Sequence, residues 1–156
     1  MTIAYAPNCS LLVNNASGAV QSLPDVRVGG KERVWIERIA LGGQATTVQT
    51  MIARLPYGAV PLSFDLSTDT SLGSSTVAIG DINNASRFSA AGTYTSLNAT
   101  TNAINVATKG IPLTTVYDNA GVTTNNYEDV LITLGVSSLP STGTLVVVTK
   151  YIDYGA

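Results

Sequence analysis

From Ala59 to Leu66 the chain alternates, with Val60, Leu62, Phe64 and Leu66 interleaved among Ala59, Pro61, Ser63 and Asp65. A period of two with one apolar set is the mark of a half-buried strand. Pro61 falls in the outward set, and because proline has no N–H to give a ladder it predicts an edge position or a bulge. Upstream, Arg33 to Leu41 carries Val34, Trp35, Ile36, Ile39 and Leu41, and Thr46 to Leu55 carries Val48, Met51, Ile52 and Leu55 after the Gly42-Gly43 break. Both read as strands, although neither alternates cleanly. Between them and the next strand, Leu55-Pro56-Tyr57-Gly58 has Pro second and Gly fourth, which predicts a type I turn.

The cadence continues with Ser75 to Ile79, closed by Gly80, and with Ile111 to Tyr117, followed by a turn at Asp118-Asn119-Ala120-Gly121. Tyr127 to Leu134 and Gly143 to Ile152 supply two more strands. In the last of these, Leu145, Val146, Val147 and Val148 are apolar at consecutive positions, which predicts a central strand covered on both faces. Asp81 to Ala91 predicts one helical turn capped by Asn83 or Asn84, and the Thr- and Asn-rich stretch Gly92 to Thr108 reads as a surface loop or a polar strand pair. Residues 1–32 form an extended N-terminal arm in which Ile3, Tyr5, Leu11, Leu12 and Val13 lie without period among Asn, Ser and Gly. Such a terminus crosses its own domain or lies on a neighbour, and these five residues are the candidate assembly contacts. The expected architecture is all-β: the arm, then one domain over 33–156, an antiparallel β-sandwich or jelly roll of about seven or eight short strands.

Composition narrows what such a fold can do. The 156 residues include no histidine, one cysteine and 12% charged side chains, against 45% hydrophobic. Without histidine the chain lacks the side chain that titrates near neutrality and the commonest metal ligand. Cys9 has no partner for an intrachain disulfide and no histidine to activate it as a nucleophile. A net charge of -2, with Lys and Arg scattered singly, gives no basic footprint for nucleic acid. No apolar run approaches the roughly 18 residues of a spanning helix, so no membrane partner is expected, and Met1 to Ser10 lacks the pattern of a signal peptide.

The motifs that carry chemistry are few. Asp65-x-Ser67-x-Asp69 resembles the opening of a calcium loop, but Thr70 stands where the sharp turn needs Gly and Thr76 where the loop needs Glu. A looser cation site using Asp65, Asp69 or Asp81 stays open beside their ordinary role as solvated turn formers. Glu128 and Asp129 are adjacent on a strand and therefore point to opposite faces, so they cannot flank one glycosidic bond. One is expected to be solvated and the other salt-bridged. There is no phosphate-cradling glycine loop and no nucleophile elbow. The sequons at Asn8, Asn15, Asn84 and Asn98 are what a chain this rich in Asn, Ser and Thr contains by chance. Tyr94, Tyr117 and Tyr127 are expected to cap the core with a wet hydroxyl rather than stack on sugars. No catalytic residue, metal or cofactor is expected.

Val34-Trp35-Ile36-Glu37, Leu55-Pro56-Tyr57-Gly58-Ala59, Val77-Ala78-Ile79-Gly80-Asp81, Ala85-Ser86-Arg87-Phe88 and the closing Gly143-Thr144-Leu145-Val146-Val147-Val148 strand with Tyr151 follow one another in an order that resembles small structural proteins of tailed bacteriophages. The similarity runs over about residues 33–152. It implies a non-enzymatic virion protein on the capsid surface, assembled in the host cytoplasm. Its implied partners are the major capsid protein and copies of itself, as a homo-oligomer, in the role of head decoration or cement. The rivals are a vertex, neck or fibre-base protein, a receptor- or carbohydrate-binding module using Gly92 to Thr108, and a hydrolase built on carboxylates alone. With so few titratable groups, the native state is expected to offer little for a moderate pH change to alter.

Overall fold

A computed structural model describes residues 30–42, 44, 49–117, 121, 123–124, 127–135 and 139–154. Its strands are β1 (Lys31–Ala40), β2 (Gln49–Pro56), β3 (Val60–Thr68), β4 (Thr76–Gly80), β5 (Ser89–Thr93), β6 (Thr101–Asn102), β7 (Val116–Tyr117), β8 (Thr123–Thr124), β9 (Tyr127–Gly135) and β10 (Thr144–Asp153). They form one sheet in the order β1-β10-β3-β6, a second in the order β2-β9-β4-β5, and the small β7-β8 ribbon. Every pairing is antiparallel. With β7 and β8 set aside as an insertion, first pairs with last (β1 with β10), then β2 with β9, β3 with β6 and β4 with β5. This is one long hairpin rolled over itself, the jelly-roll topology that the strand cadence predicts.

The two sheets enclose one core. Phe64, Leu66, Leu145 and Val147 from the first sheet meet Ile52, Leu55, Val77, Ile79, Val130 and Ile132 from the second, and all are buried. Phe64 and Phe88 pack with ring centroids 5.6 Å apart. The alternation is realised in β3 only from Phe64 to Leu66; before that Ser63 is buried and Leu62 partly exposed, the reverse of the expectation, and the proline marks a bulge: Lys150 pairs with Ser63 but Tyr151 pairs with Pro61, so Leu62 is skipped. Pro61 itself is buried rather than outward, because the bulge shifts the phase at that end of the strand. In β10 the structure corrects the expectation of cover on both faces. The strand is central, between β1 and β3, with Leu145, Val147 and Thr149 buried, while Val146 and Val148 are partly exposed on the outer face.

The remaining differences lie where pairing, not side-chain pattern, dictates the chain. Asp81 to Phe88 is a series of bends rather than a helical turn, and it ends in β5. The expected strand Ile111 to Tyr117 shrinks to Val116–Tyr117, and Gly92 to Thr108 holds only the end of β5 and the two residues of β6. The turn after β2 is shifted by one residue: the Ala59 N–H donates to the Pro56 carbonyl at 3.0 Å, and Gly58 has φ +79°. Positive φ at the third turn position is the requirement of a type II turn, which glycine meets without a steric cost, so Gly58 outweighs the proline in setting the turn. The segment 118–120 and the arm residues Ile3, Tyr5, Leu11, Leu12 and Val13 lie outside the described residues.

Candidate functional site

The chain's charged chemistry converges at one end of the second sheet. β4 closes on Gly80, against which the following bend folds so tightly that a side chain there would meet the Asn84 carbonyl and Ala85. Glycine at this position lets Asp81 turn inward. The Asp81 Oδ1 accepts the N–H groups of Asn83 and Asn84, each at 2.7 Å, and so does the capping expected of Asn83 or Asn84. The Asp81 Oδ2 meets Arg87 Nη1 at 2.9 Å, and the same Nη1 meets Glu128 Oε1 at 3.0 Å. Arg87 Nη2 donates to the Thr115 carbonyl at 2.7 Å, and Glu128 Oε2 accepts the Tyr117 N–H at 2.8 Å. Asn105 brackets the arrangement from the side, its amide donating to the Ser86 and Arg87 carbonyls while its oxygen accepts the Ala90 N–H. One guanidinium thus ties together β4, β7, β9 and the loop before β5.

Both carboxylates are buried, and one positive charge serves two negative ones. Burial pushes the Glu128 carboxyl from its ordinary 4.5 to about 7, with nearby Asp81 pushing the same way, against the pull of the Tyr117 N–H and the Arg87 guanidinium. The expectation of a pH-insensitive native state fails at this residue. It fails because the fold buries Glu128 beside a second carboxylate, Asp81, instead of leaving it in water. Asp81 and Glu128 are also a carboxylate pair that no motif announces, but the guanidinium fills the space between them where a substrate would have to sit.

Glu128 and Asp129 do point to opposite faces, but neither is solvated. Asp129 is buried in a bidentate pair with Arg54, Nε to Oδ1 at 2.6 Å and Nη2 to Oδ2 at 3.0 Å, and the Arg54 guanidinium lies 4.1 Å from the Tyr127 ring centroid. Asp65, Asp69 and Asp81 do not come together. Asp65 pairs with Lys150 at 2.9 Å on the outer face of the first sheet, and Asp69 Oδ1 accepts the Thr144 N–H at 2.7 Å at the sheet's end. Of the three tyrosines, Tyr94 packs against the core, whereas Tyr117 and Tyr127 lie beside the Arg87 and Arg54 guanidiniums. A cavity bounded by β3, Tyr94 and Thr95 to Thr101 holds about 100 Å³, and a more open one beside Arg38, Asp69, Asn98 and Thr144 about 260 Å³, both below the roughly 300 Å³ at which small-molecule sites begin.

The opposite arrangement occurs along β1. It pairs only with β10 and forms the edge of the first sheet, and among the described residues no strand occupies its other side. Val34, Trp35 and Ile36 at its centre are 55%, 39% and 62% exposed, flanked by Lys31, Glu32 and Arg33 on one side and by Glu37 and Arg38 on the other. Their failure to alternate in the sequence has a physical cause: at an uncovered edge neither face is selected to be polar by burial of the other. In register, Val34 and Ile36 share the outer face with Val146, Val148 and Lys150 of β10, so the apolar stripe continues onto the sheet.

No protein-family model matches the sequence, and no curated protein matches it. The fold does have counterparts in solved structures. One chain of the cyanophage Pam1 capsid asymmetric unit superposes with a TM-score of 0.58 at 23% identity, over 87% of this chain and 94% of that one. A chain in the capsid of Ralstonia phage GP4 superposes with a TM-score of 0.59 at 15% identity, over 88% of this chain and 92% of that one. At this level of identity the likeness is one of fold, and it extends over nearly the whole of all three chains.

Proposed function

We propose that the chain is a non-enzymatic structural protein of a phage virion, a decoration or cement protein that sits on the outside of the head shell and binds the major capsid protein and copies of itself. The observation that carries this reading is the near end-to-end likeness to chains of two phage capsids, 94% and 92% of their lengths. The residues agree with it. The buried carboxylates are clamped by arginines instead of facing a cleft, and three exposed apolar residues, Val34, Trp35 and Ile36, adjoin one another along a sheet edge, where a protein partner and not a small molecule would cover them. Contact with the shell falls to the N-terminal arm, in which Ile3, Tyr5, Leu11, Leu12 and Val13 bury apolar area on assembly.

The test is copurification with particles and the copy number relative to the major shell subunit. Copies on the order of hundreds per particle are expected of a protein that repeats with the shell lattice. A dozen or fewer would move it to a vertex, the neck or a fibre base, and absence from particles would end the virion reading. Deleting residues 2–28 is expected to abolish occupancy, and unchanged occupancy would remove the arm from the contact.

A further inference from the structure

The order of residues along the edge of β1 that no described strand covers is complementary to itself. From Glu32 to Arg38 the strand reads Glu-Arg-Val-Trp-Ile-Glu-Arg. When a second copy is laid antiparallel against it with Trp35 opposite Trp35, Glu32 faces Arg38, Arg33 faces Glu37 and Val34 faces Ile36, and by symmetry each pair occurs twice. Every charge from Glu32 to Arg38 then meets its opposite, and every exposed apolar side chain meets another. A slip of one residue in either direction destroys this, placing Glu32 opposite Glu37 with Lys31 opposite Arg38, or Arg33 opposite Arg38. A slip of two leaves Trp35 facing Glu37 or Arg33. Only the Trp35-centred register satisfies the strand, and an antiparallel pair about a twofold axis is the isologous contact that closes at two copies.

We propose that two copies of this chain join through β1, merging their first sheets into one continuous eight-stranded sheet with Trp35 on the twofold axis. Directly opposed residues of antiparallel strands lie on the same face and within side-chain reach, so both faces of the joint are complementary: Arg33, Trp35 and Glu37 on one, Glu32, Val34, Ile36 and Arg38 on the other. The groups to be recruited are loosely held in the single copy. Arg33 reaches Asp153 only at 3.6 Å with half of its side chain exposed, and among the described residues the Glu37 carboxylate accepts no more than the adjacent Arg38 N–H at 3.3 Å. Edge strands are ordinarily shielded by prolines, bulges or charges that repel a second strand. Here β1 runs ten residues without proline and pairs with β10 without a register shift, and its charges attract a copy of themselves. The inference rests on the self-association half of the reading above and not on capsid binding. A dimer that ignores particles would sink the decoration role alone, and a particle-bound monomer would sink the edge pairing alone.

The test uses the full chain and three variants in sedimentation equilibrium, with thermal melts to verify that each is folded. The wild type is expected to be dimeric. Glu37→Arg puts arginine opposite Arg33 at both ends of the joint, and Arg33→Glu puts glutamate opposite Glu37, so each single variant is expected to weaken dimerisation by at least about tenfold. The double variant Arg33→Glu with Glu37→Arg restores the pairs and the dimer. An equimolar mixture of the two single variants forms a heterodimer, because each supplies what the other lacks. Trp35, the chain's single tryptophan, reports the contact independently, with emission shifting to the red when the wild type is diluted. A monomeric wild type, a dimer that persists in both single variants, or single variants that fail to combine would each overturn the proposal; a wild-type monomer whose Trp35 emission is already blue and turns red on deletion of residues 2–28 would assign the edge to the chain's own N-terminus.

Discussion

The edge of β1 and the Arg87 cluster invert each other. On β1 the large apolar side chains Val34, Trp35 and Ile36 are exposed, with charges at either end. At the end of the second sheet two carboxylates are sealed inside, and Arg87 neutralises one of them. The usual rule of apolar inside and charged outside fails in both places for different reasons. A buried charge is tolerated when partners satisfy it, and here a guanidinium and three backbone N–H groups do so. The exposed apolar strip of β1 has no such answer among the described residues. The cluster therefore belongs to the stability of the single copy, and the edge, on the proposal above, to association.

That division predicts effects of very different size. The largest is at Arg87. Arg87→Met leaves Asp81 and Glu128 buried without a counter-charge, and is expected to cost about 3–5 kcal/mol of folding stability, read as a drop in the urea midpoint. Adding Glu128→Gln to that variant removes one of the stranded charges and is expected to recover part of the loss. A midpoint within error of the wild type would mean that the cluster does not hold β4, β7 and β9 together.

The next effect is pH dependence. Because the folded Glu128 carboxyl titrates at about 7 and the unfolded one at 4.5, the folded state keeps its proton over a range in which the unfolded state has lost it. Stability is then greatest below pH 4.5 as far as this residue is concerned, and falls as pH rises towards 7, by at most about 3 kcal/mol. Glu128→Gln is expected to flatten that slope, measured as urea midpoints across pH 4.5 to 8. A slope of the opposite sign, or one that survives the substitution, would move the titration to another group. Gly80→Ala follows at roughly 1–3 kcal/mol, as overpacking does in a close-packed site, because the added methyl meets the backbone of Asn84 and Ala85 and pushes Asp81 away from Arg87.

How much of this the sequence discloses depends on whether a segment is specified by its own pattern or by what it pairs with. The long strands β1, β2, β3, β9 and β10 carry enough Val, Ile and Leu to be read directly, and their cadence predicts the sandwich. Thr101–Asn102 and Val116–Tyr117 are two residues each, and Ser89–Thr93 is Ser-Ala-Ala-Gly-Thr. These are strands because β3, β8 and β4 offer them open ladders, a property of the partner and not of the segment. The cluster hides for a related reason: Arg87 lies six residues from Asp81 but forty-one from Glu128. A signal was nevertheless present, since Glu128 and Asp129 interrupt the start of an otherwise apolar strand, and charges in that position must be either at an edge or paired. The palindrome in β1 is fully legible, but it has meaning only once β1 is known to be an edge.

The smallest effect on folding is expected at the exposed apolar strip of β1. Val34→Thr combined with Ile36→Thr replaces two exposed β-branched residues by one that keeps the strand preference and removes the apolar surface. Since neither side chain is buried in the single copy, the unfolding free energy of the isolated chain should change by no more than about 0.5 kcal/mol, while particle occupancy or self-association falls. Urea melts at low protein concentration separate the two quantities, because at that dilution association no longer contributes to the midpoint. A loss of stability comparable to that of Arg87→Met would place Val34 and Ile36 in the core of the folding unit, and the contrast between an edge made for a partner and a cluster made for the fold would collapse.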